Sequence, residues 1–208
     1  MWSKILLSTF TLLVAFTILF ASILRTASVR YEFNISFSES PNGNVNSNEK
    51  VDYFLAYPGK VLPDSPFWPL KALRDKIWFL FTTDSLRQAE LKLLFADKRI
   101  GSSQILFKKG KADIGLSTLT KAEKYLEEAT LMEEEVRRTG IDTSEFLLRL
   151  SKASLKHYEI TQSLLEIAPG DVNPIILQTQ EYSKKSFERA RNGLLEKGKV
   201  PLQNPFTW

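Results

Sequence analysis

Long stretches of the chain repeat apolar residues at alternating steps of three and four positions, which places their side chains on one face of an α-helix. This spacing runs from residue 86 to 107, from 119 to 136 and from 146 to 167, and a sparser version continues to residue 194. The first of these stripes consists of Leu86, Ala89, Leu93, Ala96, Ile100, Ser103 and Phe107. The pattern predicts an all-α fold with long amphipathic helices.

Helix boundaries are marked by capping residues and glycines. Gly110 and Gly140 follow two of the stripes, where a glycine typically ends a helix. Asp142 and Glu145 have capping-box spacing at the start of the next stripe, and Asn173 followed by a proline opens the last one. The short connections between these helices predict a bundle of four to five antiparallel helices.

A further helix, over residues 65–82, is unusually rich in aromatic residues. We expect it to begin near Ser65, with Asp64 or Ser65 as the cap and Pro66 in the first turn. Its largest apolar face is predicted to pack on the bundle, and consists of Leu70, Leu73, Ile77, Leu80 and Phe81.

Four aromatic residues of this helix lie outside that apolar face. They are Phe67, Trp68, Trp78 and Phe79, and they form our candidate interaction surface. One alternative is that residues 51–63 and the C-terminal tail cover them. The other is that they bind a partner or a membrane surface.

Near the N-terminus, residues 5–24 form a run of 20 residues without a charge. A helix of about 20 apolar residues is long enough to cross the hydrocarbon core of a bilayer. We therefore expect a single-pass membrane anchor, with the short N-terminus inside and the folded domain on the extracytoplasmic side. A cleaved signal peptide is the alternative.

These patterns divide the chain into five parts. Residues 1–30 are the membrane anchor or signal peptide, 31–56 a flexible polar tether, and 57–168 the core of the helical bundle. Residues 169–198 are an additional C-terminal helix, which either packs across the end of the bundle or projects from it. Residues 199–208 are a tail that we expect to fold back onto the domain because it contains Phe206 and Trp208.

The charge of the chain is concentrated at the N-terminus. The formal net charge is +4, but the first 30 residues contain three basic residues and no acidic one. The other 178 residues carry 25 basic and 24 acidic side chains, which is close to neutral. A nucleic-acid-binding face usually needs a clear excess of basic residues, so we expect no nucleic-acid partner.

Few residues are suited to catalysis or metal binding. The chain has no cysteine and only one histidine, His157, which excludes thiolate and multi-histidine metal sites. We expect His157 to be a locally hydrogen-bonded residue at the edge of the core, and Glu133, Glu134 and Glu135 to lie on a solvated helix face. No catalytic, cofactor-binding or metal-binding residue is predicted, and we expect that the protein is not an enzyme.

One group of short motifs resembles a bacterial family known only as a domain of unknown function. The motifs are Leu62-Pro-Asp-Ser-Pro66, Leu70-Lys71, Phe81-Thr-Thr-Asp84, Ala89-Glu-Leu91, Ala96-Asp-Lys-Arg99 and Lys109-Gly-Lys111. In the third motif Thr83 stands where the family more usually has an aromatic residue. The resemblance covers about residues 57–165 and implies an exported or membrane-tethered helical domain, without catalytic residues.

Together these features predict a membrane-anchored extracytoplasmic domain that acts as a structural or protein-interaction module. An envelope protein is the candidate partner, and the oligomeric state stays open. The alternative function is binding to a lipid or envelope surface through exposed aromatic residues of the helix at residues 66–82.

Overall fold

The structure is a computed structural model that describes residues 51–208 and, nearer the N-terminus, residues 2, 4, 6–11, 13–15, 17 and 18. The described residues near the N-terminus are helical. The predicted membrane helix at residues 5–24 lies partly outside this range, as does the predicted tether at residues 31–56, of which residues 31–50 are not described. No helix within the described residues is long and apolar enough to cross a membrane.

The described residues form helices and no strand, so the predicted all-α class is confirmed. The five helices of residues 51–208 are α1 (Trp68–Phe81), α2 (Ser85–Lys108), α3 (Ala112–Arg138), α4 (Ser144–Ile167) and α5 (Asn173–Glu196). α1 starts later than predicted, because residues 63–67 form turns and Pro69, rather than Pro66, occupies the first helical turn.

Helices α2 to α5 form the bundle. α2 packs along α3 and α4, and α5 packs along the same two helices from the opposite side. The predicted stripes of α2 and α3 are buried in this arrangement, apart from the half-buried Leu86. α5 is part of the bundle core rather than an additional helix outside it. Its apolar residues Ile176, Phe187, Ala190 and Leu194 are all buried.

The helix ends follow some of the predicted capping patterns but not all. The side chain of Asp84 accepts a hydrogen bond from the backbone N–H of Arg87 and so caps α2. Gly110 and Gly140 have positive φ angles just after α2 and α3, as expected for helix-ending glycines. The predicted capping box is wrong: Asp142 accepts hydrogen bonds from the backbone N–H and the hydroxyl of Ser144 rather than from Glu145, and the residue at the cap position is Thr143.

Residues 51–63, which we call the strap, cross the bundle before α1. The N–H of Val51 donates to Glu159 of α4 at 3.0 Å, and the Tyr53 hydroxyl reaches into the core. Residues 51–56 were predicted to belong to the flexible tether, but Val51 and Tyr53 are hydrogen-bonded to α4 and α2, and Leu55 and Ala56 pack against buried apolar clusters. The folded domain therefore includes these residues.

The C-terminal tail folds back onto the domain, as predicted. The rings of Phe206 and Trp208 pack on Tyr158, with centroid distances of 4.6 and 4.2 Å. Trp208 also meets Phe187 of α5 edge to face. These contacts cover the outer side of the α4 and α5 pair.

At Gly193, α5 packs tightly against Leu147 of α4. A Cβ atom at this position would lie 2.9 and 3.1 Å from the two terminal carbons of Leu147 and 3.2 Å from Nε of Arg137. Leu147 is fully buried, and Arg137 is held by ion pairs to Glu133 and Glu196, so neither side chain can move freely.

We predict that Gly193→Ala destabilises the protein by about 1–2 kcal/mol, although alanine in a helix is otherwise favoured over glycine by about 1 kcal/mol. The control is Gly170→Ala, because an added Cβ there meets no atom within 4 Å. Chemical denaturation of both variants measures the difference. Equal or greater stability of Gly193→Ala would show that α4 and α5 are not in close contact at this point.

Candidate functional site

A layer of hydrogen-bonded polar side chains lies in the middle of the bundle. Nδ1 of His157 lies 2.8 Å from Oε1 of Glu123, and Nε2 lies 3.1 Å from Oδ1 of Asp97. The hydroxyl of Ser183 donates to the other oxygen of Glu123, and that of Tyr53 donates to the other oxygen of Asp97 at 2.8 Å. We call these five residues the polar layer. They connect the strap and all four helices of the bundle.

Apolar clusters enclose this layer on both sides. One cluster lies toward the start of α2 and the end of α5, and includes Leu93, Leu126, Leu150 and Leu194. The other lies toward the end of α2 and the start of α5, and includes Ile100, Leu119, Leu164 and Ile176. The four helix residues of the polar layer have no exposed surface and are sealed from water, while Tyr53 of the strap is half-buried.

Burial and charge act in opposite directions on His157. Burial alone would lower the pKa of its imidazole, because the charged form loses its hydration. Attraction to Glu123, together with the hydrogen bonds to Asp97 and Glu123, outweighs burial and raises the pKa to about 9. The imidazole is therefore a cation at neutral pH and donates a hydrogen bond from each ring nitrogen.

The arrangement suits a structural role better than a catalytic one. Both ring nitrogens and all four carboxyl oxygens of the layer already have hydrogen-bond partners within the protein. Within the described part of the chain, no group of three or more acidic or histidine side chains is arranged to hold a metal ion. The layer fixes how far each helix is shifted along its neighbours, because a shift would leave buried charges unpaired.

The sequence prediction for His157 was wrong in two respects. The ring lies in the centre of the core rather than at its edge, and its partners lie 34 and 60 residues away rather than nearby. Glu133 was also expected on a solvated face but is buried, where it accepts hydrogen bonds from Thr143 and Arg137. A search for carboxylates next to the apolar stripes of other helices would have drawn attention to Asp97 and Glu123.

Helix α1 lies outside the four-helix arrangement and contacts it through large side chains. Trp78 is buried and meets Phe95 of α2 edge to face, with ring centroids 6.0 Å apart. The cations of Lys71 and Arg99 lie over the ring of Trp68, and Lys92 lies over Phe79.

The opposite side of α1 is apolar and faces away from the bundle. Phe67, Leu70, Leu73, Leu80 and Phe81 are exposed, the leucines to between 52% and 76%, and Ile77 is half-buried. We call these six residues the outer face. The prediction that the aliphatic face of this helix packs on the bundle is therefore wrong: Trp78 and Asp75 are buried there instead.

The predicted interaction surface is divided between the two sides of α1. Phe67 belongs to the outer face, whereas Trp78 is buried and is inaccessible to a partner. Trp68 and Phe79 are half-buried under the cations described above. The structure thus places the available apolar surface mainly on aliphatic residues that sequence reasoning had assigned to the core.

Several residues of the short motifs hold α1 in this orientation. Nζ of Lys71 donates to the carbonyl oxygens of Pro58 and Val61, at 2.6 and 2.9 Å, which ties the strap to the helix. Asp64 pairs with Lys111 at 2.7 Å, which ties the turn before α1 to the connection between α2 and α3. The motifs therefore specify the placement of α1.

The fold and its central layer define an all-helical bundle domain with one helix attached to its outside. Residues 60–171 match the family described as Domain of unknown function (DUF5667), and the chain belongs to this family. The match agrees with the resemblance to a family of unknown function, while the detailed motif pattern and the membrane context stay predictions. It ends before α5, although α5 is part of the core. No curated protein and no solved structure matches the chain significantly.

We predict that the protein loses stability as the pH rises from 6.5 to 9. The pKa of His157 is raised from 6.5 to about 9 in the folded protein. The protonated imidazole therefore contributes its full stabilisation below pH 6.5 and none well above pH 9. The loss amounts to about 3 kcal/mol, since each pKa unit corresponds to about 1.4 kcal/mol. Urea denaturation at several pH values, followed by tryptophan fluorescence, measures it.

His157→Gln is the control, because glutamine does not titrate. Its stability is expected to be lower at pH 6.5 and to stay nearly constant up to pH 9. Burial also raises the pKa of Tyr53, but from 10 upward, which lies outside this range. A wild-type stability that is constant or increases between pH 6.5 and 9 would contradict a cationic His157 in the folded state.

Proposed function

We propose that the protein is a membrane-anchored extracytoplasmic domain that acts as a non-catalytic interaction module, and that its working surface is the outer face of α1. The observation that carries the proposal is the exposure of that face. Large apolar side chains that adjoin one another on the surface of a folded domain are typical of sites that bind another surface. An envelope component is the expected partner, and nucleic acid is not.

The rest of the domain supports the exposed helix as a rigid body. The polar layer and the two apolar clusters hold α2 to α5 together without any residue of the outer face. Two fixed points hold the ends of α1: Lys71 binds the strap, and Gln88 of α2 donates to the carbonyl oxygen of Thr82 at 2.6 Å. The outer face is thus presented in one orientation.

Membrane anchoring is supported by the N-terminal sequence. Residues 5–24 contain no charge, and the described residues between 2 and 18 are helical with exposed apolar side chains such as Leu6, Phe10 and Leu13. A helix with such a surface needs an apolar environment. We assign that environment to the bilayer, with residues 25–50 connecting it to the strap.

Because the chain has no cysteine, single introduced cysteines can test both parts of the proposal in intact cells. Leu73→Cys reports on the outer face, and Leu177→Cys is the matched control, since Leu177 is an exposed leucine on α5. With a membrane-impermeant maleimide we predict rapid labelling at position 177 and slow labelling at position 73. Both positions are expected to react fully after denaturation.

The extracytoplasmic location of the domain and the occupation of the outer face can be contradicted independently. If position 177 reacts only after the cells are lysed, the domain does not lie on the extracytoplasmic side. If position 73 reacts in intact cells as fast as position 177, the outer face is unoccupied and the interaction proposal is wrong.

A further inference from the structure

We propose that the outer face of α1 docks on the surface of an anionic lipid bilayer. This inference rests on the proposed function and names the partner of the same surface. The apolar stripe runs along one side of the helix from Phe67 to Phe81, a length of about 20 Å at 1.5 Å per residue. A helix that lies in the membrane interface buries a face of this kind among the lipid headgroups.

Charges around the outer face suit an anionic surface. At 100° per residue, Arg74 lies at one border of the face and Lys76 at the other. Lys76 is exposed, and the side chain of Arg74 is 41% exposed. The one acidic residue of α1, Asp75, is buried on the inner side and paired with Arg74 at 2.6 Å. The surface presented by α1 is thus apolar in the centre, with the exposed cation of Lys76 at one edge and the Arg74–Asp75 ion pair at the other.

The position of α1 in the chain also favours the bilayer. Between the predicted anchor and the strap lie 26 residues, 25–50. Even fully extended, a chain of that length spans no more than about 90 Å. The domain is then held at an effective concentration in the millimolar range next to the membrane, so that even weak docking is populated. α1 is the first helix of the domain after this connection.

A second copy of the chain fits the outer face less well. In a symmetric dimer the same face would meet itself, which brings the exposed Lys76 side chains of the two chains close together, since Lys76 lies near the middle of α1. Like charges across an interface oppose association, whereas lipid phosphates would neutralise them.

The experiment uses the full chain, reconstituted into vesicles through its own N-terminal segment. The fluorophore NBD on Leu73→Cys reports on the outer face, and NBD on Leu177→Cys is the control. The vesicles contain either phosphatidylcholine alone or phosphatidylcholine with phosphatidylglycerol, and each type includes lipids with a nitroxide quencher high on the acyl chain. Flotation of the vesicles first establishes that the chain is inserted.

We expect the nitroxide to quench NBD at position 73 but not at position 177, and more strongly in the anionic vesicles. Lys76→Gln is expected to reduce the ratio of docked to undocked chains about fivefold in those vesicles, since one cation near an anionic surface contributes about 1 kcal/mol. Leu80→Asp is expected to abolish quenching, while Leu177→Asp, with NBD kept at position 73, is expected to leave it unchanged. Circular dichroism confirms that each variant is folded.

Each of four other results would contradict a particular part of the proposal. Absence of quenching at position 73 in chains that float shows that the bilayer is not the partner, while the proposed interaction module stands. Quenching that is equal in both vesicle types overturns the anionic preference. A shift of NBD emission that depends on the protein-to-lipid ratio, without quenching by the nitroxide, indicates a second copy instead. Failure of the chain to float contradicts the membrane anchor of the proposed function itself.

Discussion

The structure depends on a charged histidine buried between two carboxyl groups in the centre of a helical bundle. Apolar clusters alone specify the register of α2 to α5 only weakly, because the hydrophobic effect has no directional preference. The contacts of His157 with Asp97 and Glu123 do not allow this, since a shift of one helix would leave a buried charge without its partner. Tyr53 and Ser183 extend the same constraint to the strap and to α5. Five segments far apart in sequence are in this way set in one register.

This constraint has a consequence for α1. The bundle is closed by α2 to α5, and α1 contributes Trp78 to a separate cluster on the outside of α2. What holds α1 is a set of aromatic and cationic contacts together with the ties from Lys71 and Asp64. Since its aromatic side packs inward, its aliphatic side is left outward. The outer face, on which the proposed function rests, is therefore exposed because α1 is attached to the bundle through its aromatic side.

Much of the fold could be predicted from local patterns. The three-four spacing located α2 to α4 to within a few residues, and Gly110 and Gly140 marked the ends of α2 and α3, because these effects act between residues less than two turns apart. The polar layer could not be predicted in this way, since the partners of His157 come from other helices. The orientation of α1 was predicted wrongly because Leu70, Leu73 and Leu80 form the more regular apolar stripe, and amphipathicity alone would turn that stripe inward. Instead, Trp78 packs on Phe95, and Trp68 lies under Lys71 and Arg99, so the aromatic side faces the bundle.

Helix α1 packs through its aromatic side and presents its aliphatic side outward. Nuclear Overhauser contacts in the full chain, with labelled tryptophan, phenylalanine and leucine methyl groups, measure this orientation directly. We expect contacts between the indole of Trp78 and the ring of Phe95, which meet edge to face at 6.0 Å. Contacts from the methyl groups of Leu73 and Leu80 to Leu91 or Leu94 of α2, with none from Trp78 to Phe95, would show that the helix is turned the other way and would contradict the account.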